Sequence, residues 1–195
     1  MRVIAGKFRS RTLRSLSGMD IRPTSDRLRE TLFNVLTAGN PAALEGGLWL
    51  DLFAGTGAVG IEALSRGAKE VYFIESSLRA AELIRTNLDG LGITTGARIL
   101  QQEVARAVSN LERQGVAAGV VFLDPPYQMR DAYEKTLSAL AKSSLIQPTS
   151  VVIAEHEKRF DPGEVFASLR RFRLLAQGSA ALSFYRKESA VEMQP

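Results

Sequence analysis

The residues best placed to do chemistry form the tetrapeptide Asp124-Pro125-Pro126-Tyr127, which directly follows an apolar run at residues 120–123. A run of this kind predicts a buried strand, so the tetrapeptide is expected where a central strand ends. Its two prolines remove two amide donors and leave carbonyl groups free to accept hydrogen bonds from a ligand. A Pro-Pro turn with a packed tyrosine is the plain alternative, and the tetrapeptide alone does not decide between them.

A second candidate site is rich in glycine. Gly55, Gly57 and Gly60 fit the pattern G-x-G-x-x-G and follow a predicted strand. Glu75 ends the next predicted strand, 20 residues after Gly55. Glycines let the backbone approach a ligand, and an acid at the end of the second strand can accept hydrogen bonds from two ribose hydroxyls. The spacing therefore favours a nucleoside-containing cofactor over a tight turn that binds nothing.

Asp51 helps to choose among such cofactors because it stands just before the glycine loop. The pyrophosphate of a nicotinamide dinucleotide prefers a helix N-terminus without a nearby carboxylate, since a fixed anion repels it. S-adenosylmethionine instead carries a sulfonium and an ammonium group beside its nucleoside. We therefore predict S-adenosylmethionine as the cofactor.

Basic residues are concentrated at the start of the chain. Residues 1–29 hold eight basic and two acidic side chains, a net charge of +6, whereas the other 166 residues sum to −2. Seven of the eight are arginine, the residue best suited to bidentate phosphate contacts and base stacking. This composition favours contact with a polyanion over a basic face that is only solvated. The basic residues that we predict to bind a polyanionic partner are Lys7, Arg9, Arg11, Arg14, Arg22 and Arg27.

Composition excludes several classes of site. The chain has no cysteine, which excludes disulfides and zinc-thiolate centres and suits a reducing cytoplasm. Its single histidine, His156, excludes a multi-histidine metal centre. His156 follows the fifth predicted strand and is a candidate for the substrate pocket, with a structural role as the alternative. No apolar run approaches the roughly 18 residues of a membrane span. We expect a cytoplasmic monomer that uses neither a membrane nor a metal.

The elements that must position these residues alternate along most of the chain. The predicted strands lie at 48–53, 71–75, 98–101, 120–123, 151–154, 172–176 and 180–185. The predicted helices run from near Thr24 to before Gly39, and over 59–66, 78–88, 104–111, 133–145 and 165–169. This order implies an α/β fold with a mostly parallel sheet, helices on both faces and an antiparallel strand at or near an edge.

The chain is expected to form one domain of ordinary size with small additions at its ends. Residues 1–22 predict a basic arm that contains a small β-hairpin, because short β-prone pieces flank Gly6. Residues 23–187 form the predicted domain, and residues 188–195 a frayed tail.

Five segments carry a resemblance to known enzymes. Residues 51–57 resemble motif I of the class I S-adenosylmethionine-dependent methyltransferases, and residues 124–127 resemble motif IV of those that methylate exocyclic amino groups. Residues 2–7, 22–34 and 60–68 resemble the RsmD-type family, whose members methylate a guanine 2-amino group in 16S ribosomal RNA. The resemblance covers nearly the whole chain and weakens only after about residue 187.

The resemblance implies a Rossmann-like fold with seven strands, of which the last is antiparallel. It also implies a substrate in 16S ribosomal RNA, naked or within the 30S subunit, and makes that RNA the expected partner of the basic residues named above. By position, the implied cofactor residues are Asp51, Phe53, Gly55, Gly57, Glu75 and Glu103. Glu75 would hold the ribose, and Glu103 would meet the adenine amino group, where the family more commonly has aspartate.

The expected chemistry at the tetrapeptide concerns an amino group whose lone pair is delocalised into a ring. Asp124 and the Pro125 carbonyl would each accept one amino hydrogen, and Tyr127 would stack on the base.

Three other functions compete with methylation of a guanine amino group in ribosomal RNA. The same tetrapeptide serves DNA adenine methyltransferases, glutamine-amide methyltransferases usually have Asn at position 124, and an RNA-binding assembly factor could retain a vestigial cofactor site.

Overall fold

In this computed structural model, the described residues are 1–15, 24–40 and 42–188 of the 195-residue chain. The chain divides into two compact units, Met1–Glu103 and Val104–Pro195. The glycine loop and the basic arm belong to the first unit, and the tetrapeptide belongs to the second. Arg22 and residues 189–195 of the predicted tail lie outside the described residues.

The first unit contains a parallel three-stranded sheet whose strands end level with one another. The strands are β1 (Leu48–Leu52), β2 (Glu70–Ile74) and β3 (Ala97–Leu100), arranged in the order β3-β2-β1. Leu52 pairs with Ile74, which in turn pairs with Leu100. The carboxyl ends of the three strands therefore share one edge, where ligands of such sheets bind.

Three helices belong to this unit: α1 (Asp26–Leu36), α2 (Ala58–Ser65) and α3 (Leu78–Gly90). Serine begins two of them, because the hydroxyls of Ser25 and Ser77 accept a hydrogen bond from the first-turn amides. Helix α2 begins differently, at the left-handed Gly57, which offers no side-chain cap. Helix α2 packs on β1 and β2, and α3 packs on β3.

The basic arm folds back on itself and docks on α2. Arg2 and Thr12 form an antiparallel bridge, and the side chains of Val3 and Leu13 are buried. The amides of Ile4 and Ala5 donate to the carboxylate of Glu62, at 2.8 and 3.0 Å. The predicted hairpin is thus a single bridge closed by turns, and polar contacts with α2 hold it in place.

The second unit contains five strands and two helices. Its strands are β4 (Ala118–Leu123), β5 (Ile146–Glu157), β6 (Val165–Phe166), β7 (Leu169–Gln177) and β8 (Ala180–Lys187), in the order β4-β5-β8-β7-β6. Only β4 and β5 pair in parallel; the last strand, β8, runs antiparallel to both of its neighbours. The helices are α4 (Val104–Arg113) and α5 (Arg130–Lys142), and α5 packs on β5.

One predicted element is wrong: residues 165–169 form no helix. Val165 and Phe166 pair with Arg170 and Leu169 in a tight antiparallel turn, and Ala167 has a φ of 49°, which an α-helix does not allow. A short apolar run cannot be assigned to helix or strand by periodicity alone. The described residues consequently contain eight strands instead of the predicted seven.

No helix in the described part of the chain combines the length and the apolar character that crossing a membrane requires.

Candidate active site

The loop between β1 and α2 has an unusual backbone. Phe53, Gly55 and Gly57 have φ values of 61°, 54° and 76°, all in the left-handed region. Glycine adopts this conformation without strain, whereas a bulky residue such as Phe53 does so at a cost of about 1–2 kcal/mol. Strained backbone of this kind occurs at ligand-binding sites, and here it turns the chain toward the first amides of α2.

The third glycine has a different purpose. A Cβ at Gly60 would lie 2.4 Å from the ring of Phe73 and 2.8 Å from a methyl group of Val71. Both of these side chains are buried on β2. Gly60 therefore allows α2 to pack closely on the sheet, while Gly55 and Gly57 shape the loop.

Asp51 lies near the end of β1, just before this loop, and is buried. One of its carboxyl oxygens accepts a hydrogen bond from the Gly60 amide at 2.9 Å. Burial raises the pKa of Asp51 to about 8; the charge of Glu75 acts in the same direction, and the Gly60 amide acts against both. A cationic ligand close to Asp51 would stabilise the ionised form of its carboxyl group. The role of Asp51 in cofactor binding stays a prediction.

Glu75 links the glycine loop to the start of α3 through hydrogen bonds. Its carboxylate accepts hydrogen bonds from the Gly55 amide at 2.9 Å and from the Ser77 amide at 2.8 Å. Glu75 follows the last residue of β2, and Glu103 follows β3 and is exposed. Acidic side chains thus stand beyond the carboxyl ends of adjacent parallel strands. Three residues after Glu75, the apolar side chain of Leu78 is 57% exposed in the first turn of α3, and the sequence predicted no role for it in the site.

The tetrapeptide of the second unit begins directly after the buried end of β4, as predicted. Pro125 is buried, whereas Asp124 and Tyr127 are partly exposed. The carbonyl of Pro126 accepts a hydrogen bond from the Met129 amide at 2.7 Å, which closes a turn before α5. The acid and the aromatic ring are therefore held on a short turn between two regular elements.

Tyr133 supports this turn from below and was missed by the sequence interpretation. Its hydroxyl donates to the Glu155 carbonyl at 2.9 Å and lies 3.5 Å from the Pro125 carbonyl. Burial, and then the charge of Asp124, raise the pKa of Tyr133 well above its ordinary value, so the hydroxyl stays protonated. Because its single proton lies on the shorter bond, the Pro125 carbonyl keeps accepting capacity.

His156 lies in the core of the second unit. It is 2% exposed; Nδ1 donates to the Glu157 carbonyl at 2.9 Å, and Nε2 accepts from the Ser183 hydroxyl at 2.9 Å. Burial lowers the pKa of His156, which favours this neutral form. The predicted contact with substrate stays a prediction that would require the ring to leave these partners.

The predicted RNA-binding side chains of the arm and of α1 point outward where they are described. Lys7, Arg9, Arg11, Arg14 and Arg27 are exposed. Arg29, counted in the charge of the basic block, is instead fully buried: its guanidinium donates to the Arg2 carbonyl and to Asp26, each at 2.7 Å. Part of the positive charge thus holds the arm on α1 and is not available to a partner.

Three more polar residues of this unit are buried and were also missed: Glu62, Ser65 and Asn87. Each lies on the buried face of its helix and bonds the backbone of the basic arm. A polar residue at a predicted core position would have been the available signal. Across the described residues, no group of three or more side chains suits a metal ion.

The fold and the motifs match known proteins over nearly the full chain. The family profile described as conserved hypothetical protein 95 matches residues 1–186. Ribosomal RNA small subunit methyltransferase D of Escherichia coli strain K12 is 33% identical over 192 residues, which are 98% of this chain and 92% of that protein.

Solved structures give the same result. The structure of yhhF from Escherichia coli has a TM-score of 0.80 at 31% identity and covers 97% of this chain and 98% of its own. SMU.776 in complex with SAH has a TM-score of 0.64 at 14% identity, over 82% of this chain and 48% of its own, which is a similarity of fold alone. The fold is that of the class I methyltransferases, and the chain belongs to the family described as conserved hypothetical protein 95, the RsmD-type family that its motifs resemble.

Proposed function

We propose that this protein transfers a methyl group from S-adenosylmethionine to the exocyclic 2-amino group of a guanine in small-subunit ribosomal RNA. The observation that carries the proposal is the arrangement at the end of β4. There, the Asp124 carboxylate and the Pro125 carbonyl follow a buried strand, and Tyr133 directs its proton to another acceptor. The family also contains ribosomal RNA methyltransferases, which supports ribosomal RNA as the polymer that carries the target base.

The cofactor part of the proposal rests on the first unit. The left-handed backbone at Gly55 and Gly57 can approach the methionine part of S-adenosylmethionine, and Glu75 can accept from its ribose hydroxyls. Phe53 and Glu103 complete the proposed contacts, the latter toward the adenine amino group. These groups therefore fit S-adenosylmethionine, which would supply an electrophilic methyl group on a sulfonium.

The chain's own contribution to the reaction is to hold the amine. A guanine 2-amino group is a poor nucleophile because its lone pair is delocalised into the ring. When Asp124 and the Pro125 carbonyl each accept one of its hydrogens, the nitrogen can become pyramidal and direct its lone pair away from them. The same two acceptors stabilise the positive charge that develops on nitrogen, and Asp124 or water then takes the surplus proton.

Tyr127 is proposed to stack on the target base, a contact worth about 1–3 kcal/mol in single-strand binders. Its partial exposure at the turn after β4 suits this role. A guanine that starts out paired or stacked would have to be turned out of its helix to reach the ring. An enzyme with this substrate would work where ribosomes assemble, which agrees with the cytoplasm predicted from composition.

The choice of substrate is tested by labelled methyl transfer to three acceptors: naked ribosomal RNA, free small subunits and genomic DNA. We expect 2-methylguanosine in the small-subunit RNA, from either of the first two acceptors, after nucleoside analysis. Methyladenine in DNA would contradict the proposed base and polymer. Cofactor binding without transfer to any RNA would instead favour an assembly factor with a vestigial site.

We further expect that replacing Arg9 and Arg11 by alanine weakens RNA binding mainly at low salt. Each phosphate contact on single-stranded RNA adds about 0.7 to the slope of log affinity against log salt, so two lost contacts flatten the slope by about 1.4. The measurement is RNA affinity across a salt series. Arg79→Ala with Arg85→Ala, two exposed positions on α3, removes the same charge elsewhere in the first unit and serves as the control. An equal slope in the two double variants would refute the role of the arm.

A further inference from the structure

One buried side chain joins the basic arm to the glycine loop. Asn87, on α3, is 4% exposed. Its Oδ1 accepts from the Arg14 amide at 2.8 Å, and its Nδ2 donates to the Arg14 carbonyl at 3.2 Å and to the Thr56 carbonyl at 3.0 Å. These partners define the amide orientation, because a flipped amide would set its oxygen against two carbonyls and its nitrogen against an N–H group.

Thr56 is the residue between the two left-handed glycines of the cofactor loop, so Asn87 holds the loop at its centre. The loop also meets the arm directly, since the Thr56 hydroxyl lies 3.6 Å from Met1 Sδ. Thr56 itself is buried. Two independent contacts therefore link the first described segment of the chain to the loop that shapes the cofactor site.

The arm is anchored a second time at the far end of α2, the helix that the loop begins. Ser65 accepts from the Phe8 amide at 2.9 Å through its hydroxyl and from the Lys7 amide at 2.7 Å through its carbonyl. Gly6 lies against the same turn, where a Cβ would come within 1.8 Å of the Ser65 carbonyl oxygen. The arm thus contacts both the loop and the end of α2, and its docked position requires Gly6.

We propose that Asn87 is a positioning residue that couples the docked arm to the cofactor-binding form of the glycine loop. The arm that carries the RNA-binding arginines and the loop that binds the cofactor would then stabilise each other through one amide. Coupling of this kind is reciprocal, so RNA held by the arm would tighten cofactor binding and the cofactor would tighten RNA binding. The inference rests on the proposed function for the identity of the two ligands.

A purely structural asparagine is the alternative, and the two roles predict different measurements. A structural asparagine would lower the thermal midpoint when replaced, while folded molecules would bind the cofactor product as before. A coupling asparagine would change affinity in the folded protein. Binding of S-adenosylhomocysteine, measured by calorimetry without RNA, separates these outcomes and does not depend on methyl transfer.

The first variant is Asn87→Asp in the full chain. It keeps an oxygen for the Arg14 amide but sets a second oxygen against the Thr56 and Arg14 carbonyls. We expect S-adenosylhomocysteine to bind about tenfold more weakly, within the usual range of coupling between sites. Thr86→Ala is the matched control on the same helix, because within the described residues the Thr86 hydroxyl donates only to the Glu82 carbonyl. Circular dichroism establishes that each variant is folded.

The second variant, Gly6→Ala, loosens the arm at a point remote from the loop and leaves Asn87 intact. We expect weaker S-adenosylhomocysteine binding here too, and a double variant whose loss is smaller than the product of the two single losses. Unchanged affinity in Gly6→Ala, with or without a loss in Asn87→Asp, would overturn the coupling.

In the unaltered protein, RNA should strengthen S-adenosylhomocysteine binding, and Asn87→Asp should abolish that gain. If the unaltered protein methylates no RNA, the proposed function fails, while the titrations without RNA still decide the link between arm and loop.

Discussion

Replacing Asp124 by alanine is expected to abolish methyl transfer while leaving the affinity for S-adenosylmethionine within a few-fold. The variant removes one of the two acceptors that hold the amino group, together with the charge that stabilises the developing cation. Losing one such group costs about 100- to 1,000-fold in kcat, and the missing proton acceptor adds to that loss. The measurements are single-turnover transfer to ribosomal RNA and calorimetric titration of the cofactor.

Asp131→Ala is the matched control for this change. Asp131 is an exposed carboxylate in the first turn of α5, where it pairs with Lys135 at 2.5 Å. Its removal changes the net charge equally and should leave transfer unaffected, because exposed pairs of this kind contribute little. If Asp124→Ala lost cofactor binding instead of transfer, Asp124 would belong to the cofactor site and the proposed chemistry would be wrong.

Replacing Glu75 by alanine is expected to give the opposite pattern. The variant leaves the Gly55 and Ser77 amides without their present acceptor and removes the proposed ribose contact. Hydrogen bonds to a charged group contribute about 1.5–3 kcal/mol each, so the cofactor should bind about 100-fold more weakly. Saturating cofactor should restore most of kcat, because the amine-holding residues are intact.

Glu82→Ala provides the control for this prediction, since Glu82 is exposed on α3 and its carboxylate has no hydrogen bond or ion pair with the loop among the described residues. The dissociation constant of S-adenosylhomocysteine is the direct readout. An unchanged constant in Glu75→Ala would remove Glu75 from the cofactor site. Together, the two variants separate cofactor binding from amine chemistry, which are assigned to different units of the chain.

Much of the fold followed from patterns of neighbouring residues. The alternation of apolar runs and amphipathic segments predicted all the helices of the first unit and its three strands within a few residues. The failure at residues 165–169 has a local cause: the run is too short for its period to distinguish helix from strand. Strand β5 is also longer than predicted, because its first half includes the exposed residues Gln147, Pro148 and Thr149, which do not form an apolar run.

The supporting contacts of the site could not be predicted in the same way. Asn87 bonds a residue 73 positions away, and Glu62 bonds one 58 positions away. Each is a polar residue on a buried and mainly apolar helix face, and nothing in the neighbouring sequence identifies its partner. Arg29 shows the reverse error, since composition counted it as surface charge although the fold buries it.

The sequence by itself determined where the candidate catalytic and cofactor-binding residues stand in their elements. The glycine loop, Glu75 and the tetrapeptide at Asp124 depend on spacing within a short segment, and backbone geometry converts such spacing directly into position. Only the tertiary structure decided that Asn87 joins the arm to the loop, that Tyr133 leaves the Pro125 carbonyl able to accept, and that His156 is a core residue. Those assignments depend on which buried polar groups meet, and buried groups find partners across the whole fold because leaving them unpaired is costly.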